Sequence, residues 1–297
     1  MDLHYLNLFN TIATLGSMTK ASEEMHISQP ALSIQIKKLE DSLGLKLFDK
    51  QGTRLVLNEN GKTLFHYTQQ IFMLVQEASN QLADRKLTVS GEVTIGGSNT
   101  AGSYLLPSII GDFKQLYPQV NVKLYIGNTS EIANLIHHNI LDFAINGGDV
   151  TYTSQIEVLS LKEDPLVLIA SNQSIYAKQP ISSAEDLANS DFIVHDSNSQ
   201  LYLAYERVIH ELNLEENVAM SLGSIDAIKQ AVAADLGLAL IPYSAVATEL
   251  KLGLLHQIKL KNANWLYPYS LIYNKSRFIS PATLKLMEMV KKQLGKN

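Results

Sequence analysis

The chain has 297 residues, 46% of them hydrophobic, enough to bury a sizeable core and more than one domain. It carries no cysteine, which excludes a disulfide framework, a thiolate metal site and a cysteine nucleophile. The net charge of −5 argues against a uniformly basic surface, and no apolar run reaches the roughly 18–20 residues of a membrane span. The opening stretch, MDLHYLNLFNTIATLG, lacks a basic region before a long apolar core. No secretory signal is therefore expected, and the chain reads as soluble and cytoplasmic.

Leu3, Leu6, Phe9 and Ile12 recur at helical spacing and predict a first helix, broken at Gly16-Ser17. Met18, Ala21 and Met25 mark a short second helix with Thr19 near its start, and His26-Ile27 forms the turn. Ser28 is a good N-cap for a third helix with Pro30 in its first turn. There Leu32, Ile36, Leu39 and Leu43 form a single apolar stripe, and Pro30, Ser33, Ile34, Lys37 and Lys38 lie broadly opposite. Two short helices with a tight turn, the second polar and basic on its free face, match a helix-turn-helix. In a major groove Gln29 and Ser33 can hydrogen-bond base edges, Ile34 can touch a thymine methyl, and Lys37 can meet phosphate. A solitary exposed isoleucine is also ordinary on protein surfaces. Acids and bases balance over residues 1–58, so a DNA-binding face must come from segregation of charge and not from excess.

The stretch LKLFDKQGTRLVLNENG reads as strand, turn at Gly52, strand, with Lys50 and Arg54 placed as a phosphate-contacting wing. From Glu59 to about Leu87 a long helical pattern carries Leu64, Ile71 and Ala78 at heptad spacing, accompanied by Tyr67, Leu74 and Val75. Such a seam suggests coiled-coil dimerisation through Leu64, Ile71, Leu74 and Ala78, with packing inside its own chain as the alternative.

Ala21-Ser22, Ile27-Ser28-Gln29-Pro30-Ala31-Leu32-Ser33, Gln35-Ile36, Leu39-Glu40, Leu43-Gly44, Leu47-Phe48 and Gly61 form a long ordered pattern. It resembles the N-terminal signature of LysR-type transcriptional regulators. Many members carry arginine or another polar residue where this chain has Ile34, a departure that bears on base readout there and not on DNA binding in general.

Further along, strands at Glu92–Ile95, Asn121–Ile126 and Asp142–Ile145 alternate with helices and predict an α/β unit with a parallel sheet. A second series runs from Pro165 through LVLIA, FIVHD, NVAMSLG and LGLALIP, and YPYSLIYNK with a helix from Pro281 to Leu294 follows. This order resembles the family's effector-binding region, which has the two-lobed fold of periplasmic binding proteins. The resemblance implies an α/β protein with an all-α, winged N-terminal part. A winged helix-turn-helix would span 1–58, a linker dimerisation helix 59–89 and an effector-binding domain 90–297. Lobe I would comprise 92–163 and 268–297, and lobe II 164–267, with crossings near Lys162–Pro165 and Leu266–Pro268. The stretches IGGSNTAGSYLLP and IGNTSEIANLI look nearest to the branch governing carbon-dioxide fixation and sulfite-reduction genes.

Ligands of open α/β sheets bind beyond the carboxyl ends of strands. Those points here are Ser98-Asn99-Thr100, Asn128-Thr129, Asn146-Gly147, Ser197-Asn198-Ser199 and Gly223-Ser224. Hydroxyls and free amides at helix starts favour an anion or a polar acid, although each residue could simply cap its own helix. The predicted effector site is Ser98, Asn99, Thr100, Thr129, Asn146, His195, Ser197, Ser199 and Ser224, with Thr100 its best single member. His195 reads either as a charge-dependent contact or as structural. The only arginines are Arg54, Arg85, Arg207 and Arg277, so the effector carries modest charge or is held by amides and hydroxyls.

Gly61-Lys62-Thr63 lacks the first glycine of a nucleotide-binding loop, and the glycines of IGGSNTAG do not fit the dinucleotide fingerprint. His137-His138 has no carboxylate partner at ligand spacing, and no G-x-S-x-G elbow supports a hydrolase. The expectation is a regulator with no enzymatic activity, no metal and no cofactor beyond a small-molecule co-inducer. Its partners would be double-stranded DNA with an interrupted palindrome, RNA polymerase and itself as a dimer or, by resemblance, a pair of dimers, with no membrane. The competing reading is an enzyme or transport-type binder on the same two-lobed fold. The helix-turn-helix, wing and linker helix favour the regulator.

Overall fold

The computed structural model describes residues 2–51, 54–83, 89–179, 183–215, 217–261 and 263–295. The chain forms two compact units, Met1–Thr88 and Val89–Asn297. The first begins with α1 (Leu3–Leu15), α2 (Met18–Glu24) and α3 (Gln29–Leu43), followed by β1 (Phe48–Gln51), β2 (Arg54–Leu57) and α4 (Glu59–Ala83). Local chemistry sets these boundaries. Asp2, Ser17 and Ser28 accept hydrogen bonds from the amides of His4, Lys20 and Ala31, and Gly16 ends α1 in the left-handed conformation. Leu6, Phe9, Ile12, Ala21, Leu32, Ile36 and Leu39 close the three-helix core, as their spacing anticipates. Leu8, absent from that pattern, is buried as well. Glu40 is buried at the end of α3 and accepts from the Leu47 amide at 2.9 Å, which fastens the β1–β2 hairpin to the helices. The predicted turn residue Gly52 and the extension of α4 toward Leu87 lie outside the described residues.

The second unit has two lobes. Lobe I contains β3 (Gly91–Ser98), a π-helical turn (Ala101–Leu105) leading into α5 (Leu106–Leu116), β4 (Val120–Gly127), α6 (Thr129–His137), β5 (Phe143–Gly147) and β6 (Ile156–Ser160). Lobe II contains β7 (Asp164–Ser171), α7 (Ile175–Lys178), β8 (Phe192–His195), α8 (Gln200–Glu211), β9 (Val218–Leu222), α9 (Ile225–Ala233), β10 (Ala239–Pro242), α10 (Ala247–Lys251) and β11 (Leu255–Ile258). The chain returns through β12 (Leu266–Tyr267) to β13 (Tyr269–Asn274) and α11 (Pro281–Leu294) of lobe I.

The lobe I sheet has the order β4-β3-β5-β13-β6. The three strands predicted to form a parallel unit do so, β3 lying parallel to β4 and β5, and β13 joins them antiparallel to β5 and β6. The returning strand enters from the other lobe and therefore runs against its neighbours, and β6 carries no signal strong enough to have been singled out. In lobe II, β7 pairs antiparallel with β10, β11 and β12, and β8 pairs parallel with β9. The pairing of β12 with β7 sets the two interlobe crossings side by side, Tyr267 opposite Asp164. A buried ion pair braces lobe I, where Arg277 donates from Nε to Asp142 at 2.9 Å and the Thr94 amide donates to the same carboxylate at 2.6 Å.

Candidate functional site

The free face of α3 is built as its spacing implies. Gln29, Pro30, Ser33, Lys37 and Lys38 are exposed, and Ile34 is 58% exposed while Leu32 and Leu39 beneath it are fully buried. Thr19 is exposed on α2. The Ser28 hydroxyl oxygen accepts from Ala31, leaving its proton available to a phosphate or base. One contact was not anticipated: Gln35 is bonded to His4 of α1, Oε1 to Nε2, at 2.7 Å. The side chains of Lys50 and Arg54 lie outside the described residues.

The α4 stripe divides. Leu64 and Ile71 are half-buried against the three-helix core, and the fully buried Thr68 donates to Asn10 at 3.1 Å. Intra-chain packing, the alternative raised by the sequence, thus accounts for part of the seam. Tyr67, Leu74, Val75 and Ala78 remain exposed along one flank.

In the second unit a small cleft, partly open to solvent, lies where the lobes face each other. From lobe I it receives Ser98, Asn99 and Thr100 at the end of β3, and Asn128, Thr129 and Ser130 at the start of α6. Lobe II contributes His195, Asn198, Ser199, Gln200 and Leu201 around the start of α8, and Tyr267 projects from the crossing strand. None of these side chains is a lysine, arginine, aspartate or glutamate. Ser98 and Thr100 are buried, and the Ser98 oxygen accepts from the Gly147 amide at 3.1 Å. Asn128 and Ser199 cap α6 and α8 by accepting from Glu131 and Tyr202, so two helix N-termini open onto the cleft from opposite lobes. The Thr100 side chain makes no capping bond. His195 is buried, and its Nδ1 has no hydrogen-bond partner among the described residues. Burial lowers the pKa of His195, partly opposed by Asp196, so the ring is neutral near pH 7.

Six of the nine predicted effector residues, Ser98, Asn99, Thr100, Thr129, His195 and Ser199, line this cleft. Asn146, Ser197 and Ser224 do not. Asn146 is buried behind it, donating to the Thr129 carbonyl at 3.1 Å and to Tyr152 at 3.2 Å. Ser197 is exposed in the turn closed by the Ser199 amide on the Asp196 carbonyl. Ser224 is exposed and caps α9 by accepting from Ala227. Asn128, Asn198 and Gln200 adjoin stretches the sequence singles out and could have been included. Nothing local points to Tyr267, which only the crossing of the chain brings to the site. Among the described residues no cluster of three or more His, Asp or Glu could hold a metal ion, and no helix is long and apolar enough to cross a membrane.

The sequence matches two family models, "Bacterial regulatory helix-turn-helix protein, lysR family" over residues 3–62 and "LysR substrate binding domain" over residues 87–295. It is 38% identical over 286 residues to a "Probable RuBisCO transcriptional regulator" of Cyanophora paradoxa, covering 95% of this chain and 88% of that one. A protein of the same description from Trichormus variabilis is 35% identical, with 94% and 85% covered. Among solved structures, a full-length OxyR variant from Pseudomonas aeruginosa superposes with a TM-score of 0.72 at 20% identity, covering 98% and 94% of the two chains. Full-length CbnR complexed with its target DNA gives 0.66 at 17% identity, covering 98% and 99%. The effector-binding domain of QuiR in complex with shikimate gives 0.61 at 19% identity, covering 69% and 97%. At these identities the structural likeness shows the shared fold.

The buried neutral His195 carries a pH prediction. Because its folded pKa is depressed, the unfolded chain takes up the proton first as pH falls below about 6.5. The second unit should therefore lose stability on acidification from the ordinary histidine range toward the lowered folded value. His195→Gln should flatten that slope in urea titrations followed between pH 5.5 and 7.5, and an unchanged slope would mean the ring is solvated.

Proposed function

The chain belongs to the LysR family of DNA-binding transcriptional regulators with an effector-binding domain, and from that premise we propose how this member works. It acts as a cytoplasmic switch without catalysis, metal or resident cofactor. A small polar or anionic metabolite binds in the interlobe cleft and changes DNA binding or activation. The observation that carries this reading is the presence in one chain of a polar, basic free face on α3 and a charge-free, hydroxyl-lined cleft between two lobes. The relatives described as RuBisCO transcriptional regulators favour carbon-dioxide fixation genes as targets. The shikimate carried by QuiR supports a small organic acid or similar oxyanion as the class of effector.

On DNA, Gln29 and Ser33 read base edges, Ile34 meets a thymine methyl, and Thr19, Ser28, Lys37, Lys38, Lys50 and Arg54 hold the backbone. The exposed flank of α4 pairs with a second copy, placing two α3 helices on the halves of an interrupted palindrome, and pairs of dimers contact RNA polymerase. Effector binding can shift this assembly only through unequal affinity for its two arrangements.

Gel shifts against operator and random DNA test the α3 assignment. Ser33→Ala should reduce discrimination, whereas Lys37→Ala should weaken both complexes alike and lower the salt slope by about one. Equal binding of both DNAs by the unaltered protein would refute it.

The dimer is better tested at Leu74 than at Ile71, whose substitution would also damage the core of the first unit. Leu74→Glu places an unpaired charge in the proposed seam and should abolish dimers in sedimentation at micromolar concentration while the melting temperature of the monomer stays close to that of the parent.

For the cleft, a thermal-shift screen of small carboxylates, phosphates and sulfate should find a stabilising ligand. Thr100→Val should weaken its apparent affinity roughly tenfold, the loss of one hydrogen bond to a charged group, with basal DNA binding intact. A ligand whose affinity is the same for Thr100→Val and the parent binds elsewhere.

A further inference from the structure

Besides the two chain crossings, the lobes meet through side chains at Tyr104. This residue lies in the π-helical turn of lobe I and does not line the cleft. Its hydroxyl donates to Asp226 at 2.8 Å, and its ring centroid is 4.8 Å from the Lys229 ammonium, both partners standing on α9 of lobe II. The Lys229 side chain is only 7% exposed and pairs with Glu249 at 2.7 Å and Asp226 at 3.0 Å. It also donates to the Ala245 carbonyl at 3.0 Å. The carboxylate and carbonyl partners of this lysine belong to lobe II, and lobe I adds the ring and hydroxyl of Tyr104.

That division has a mechanical consequence. Were the lobes to part, Lys229 would keep both carboxylates and its carbonyl, so no buried charge would be stranded. What would be lost is the Tyr104–Asp226 hydrogen bond and the ring over the ammonium. Asp226 is 75% exposed, so water can replace the phenol. The contact can therefore bias the arrangement of the lobes and still be released. Burial, reinforced by the bond to Asp226, pushes the Tyr104 hydroxyl up to about 12, which keeps it a donor at physiological pH. A second ionic contact across the lobes, Arg207 with Asp149 at 3.0 Å, is largely exposed and more easily screened by salt.

Tyr104 is also connected to the cleft. Thr100 lies four residues before it on the same helical segment, one turn away, and the intervening residues form the π-helical turn. Such a turn departs from regular α-helical bonding, a deviation frequent at functional sites.

We propose that Tyr104 is an interlobe latch, a positioning residue whose contact with Asp226 and Lys229 holds the lobes in the arrangement seen here and transmits occupancy of the cleft at Thr100 to the relation between the lobes. Its regulatory meaning rests on the reading given under Proposed function, and the test separates the two.

The chain has no cysteine, so Lys292→Cys on lobe I and Thr248→Cys on lobe II offer unique positions for spin labels in the full-length protein. Dilution into unlabelled chain restricts the signal to distances within one protomer. Without ligand, Tyr104→Phe should raise the ratio of long to short interlobe distances about three- to tenfold, and Tyr104→Ala should raise it further. Asp226→Ala should add little in the Tyr104→Phe background, since each removes the same Tyr104–Asp226 bond. A merely structural tyrosine would lower the melting temperature without moving the distances, and that result overturns the latch. Distances in both Tyr104 variants that superimpose on the parent overturn it too. Anisotropy titrations of the same variants with DNA from upstream of the gene provide the second arm. A changed distance ratio with unchanged DNA affinity upholds the latch and counts against lobe arrangement as the controller of DNA binding.

Discussion

The effector unit depends on how closely its first helical segment lies against β3. A Cβ on Gly97 would come within 2.6 Å of the Gly102 Cα, and one on Gly96 within 2.6 Å of a Leu141 methyl. Only hydrogen at Gly97 lets the segment lie directly on the strand, while Gly96 leaves the same room for Leu141, Ala144 and Ile132. Ser98 is consequently the last residue of β3 and Asn99 already helical, with no connecting loop. The strand-end hydroxyl, the helix start at Thr100 and the π-helical turn bearing Tyr104 are all placed by that one approach.

Charge is distributed by the cost of burial. An ion removed from water must be paired and hydrogen-bonded or it destabilises the fold. Two deeply buried cations of the effector unit, Arg277 and Lys229, obey this rule and serve different ends. Arg277 and Asp142 are both enclosed in lobe I and tie the end of β13 to the turn before β5. Lys229 is enclosed by lobe II on every side except the one that Tyr104 covers. The cleft has no ion of its own. Its polarity comes from hydroxyls, amides, a neutral imidazole and two helix N-termini, groups that can accept a ligand of modest charge without leaving an unpaired cation when the site is empty. In the first unit Glu40 of α3 is buried, bonded to the Leu47 amide and paired with Lys46, while Lys37 and Lys38 stay on the solvent side of the helix.

Much of this was readable in the chain alone because the signals are local. Caps, turns and periodicities lie within a few residues of what they determine, so Ser28 starts α3, Gly16 ends α1, and the Leu32–Leu39 stripe faces inward while Ile34 faces out. The ordered motif from Ala21 to Gly61 likewise carried the family, and strand ends followed by Ser, Thr or Asn carried two thirds of the predicted effector residues into the cleft. Tertiary structure alone decided which of those hydroxyls face a ligand. Ser98 and Ser224 look alike in sequence, yet one lines the cleft and the other, itself exposed, caps α9. It also decided that β13 runs antiparallel, that Leu64 and Ile71 pack inward while Leu74 stays exposed, and that Tyr267 and Tyr104 meet the opposite lobe. Each of these rests on contacts between residues far apart in the chain, such as the 122 positions separating Tyr104 from Asp226, and no local propensity encodes a neighbour that distant.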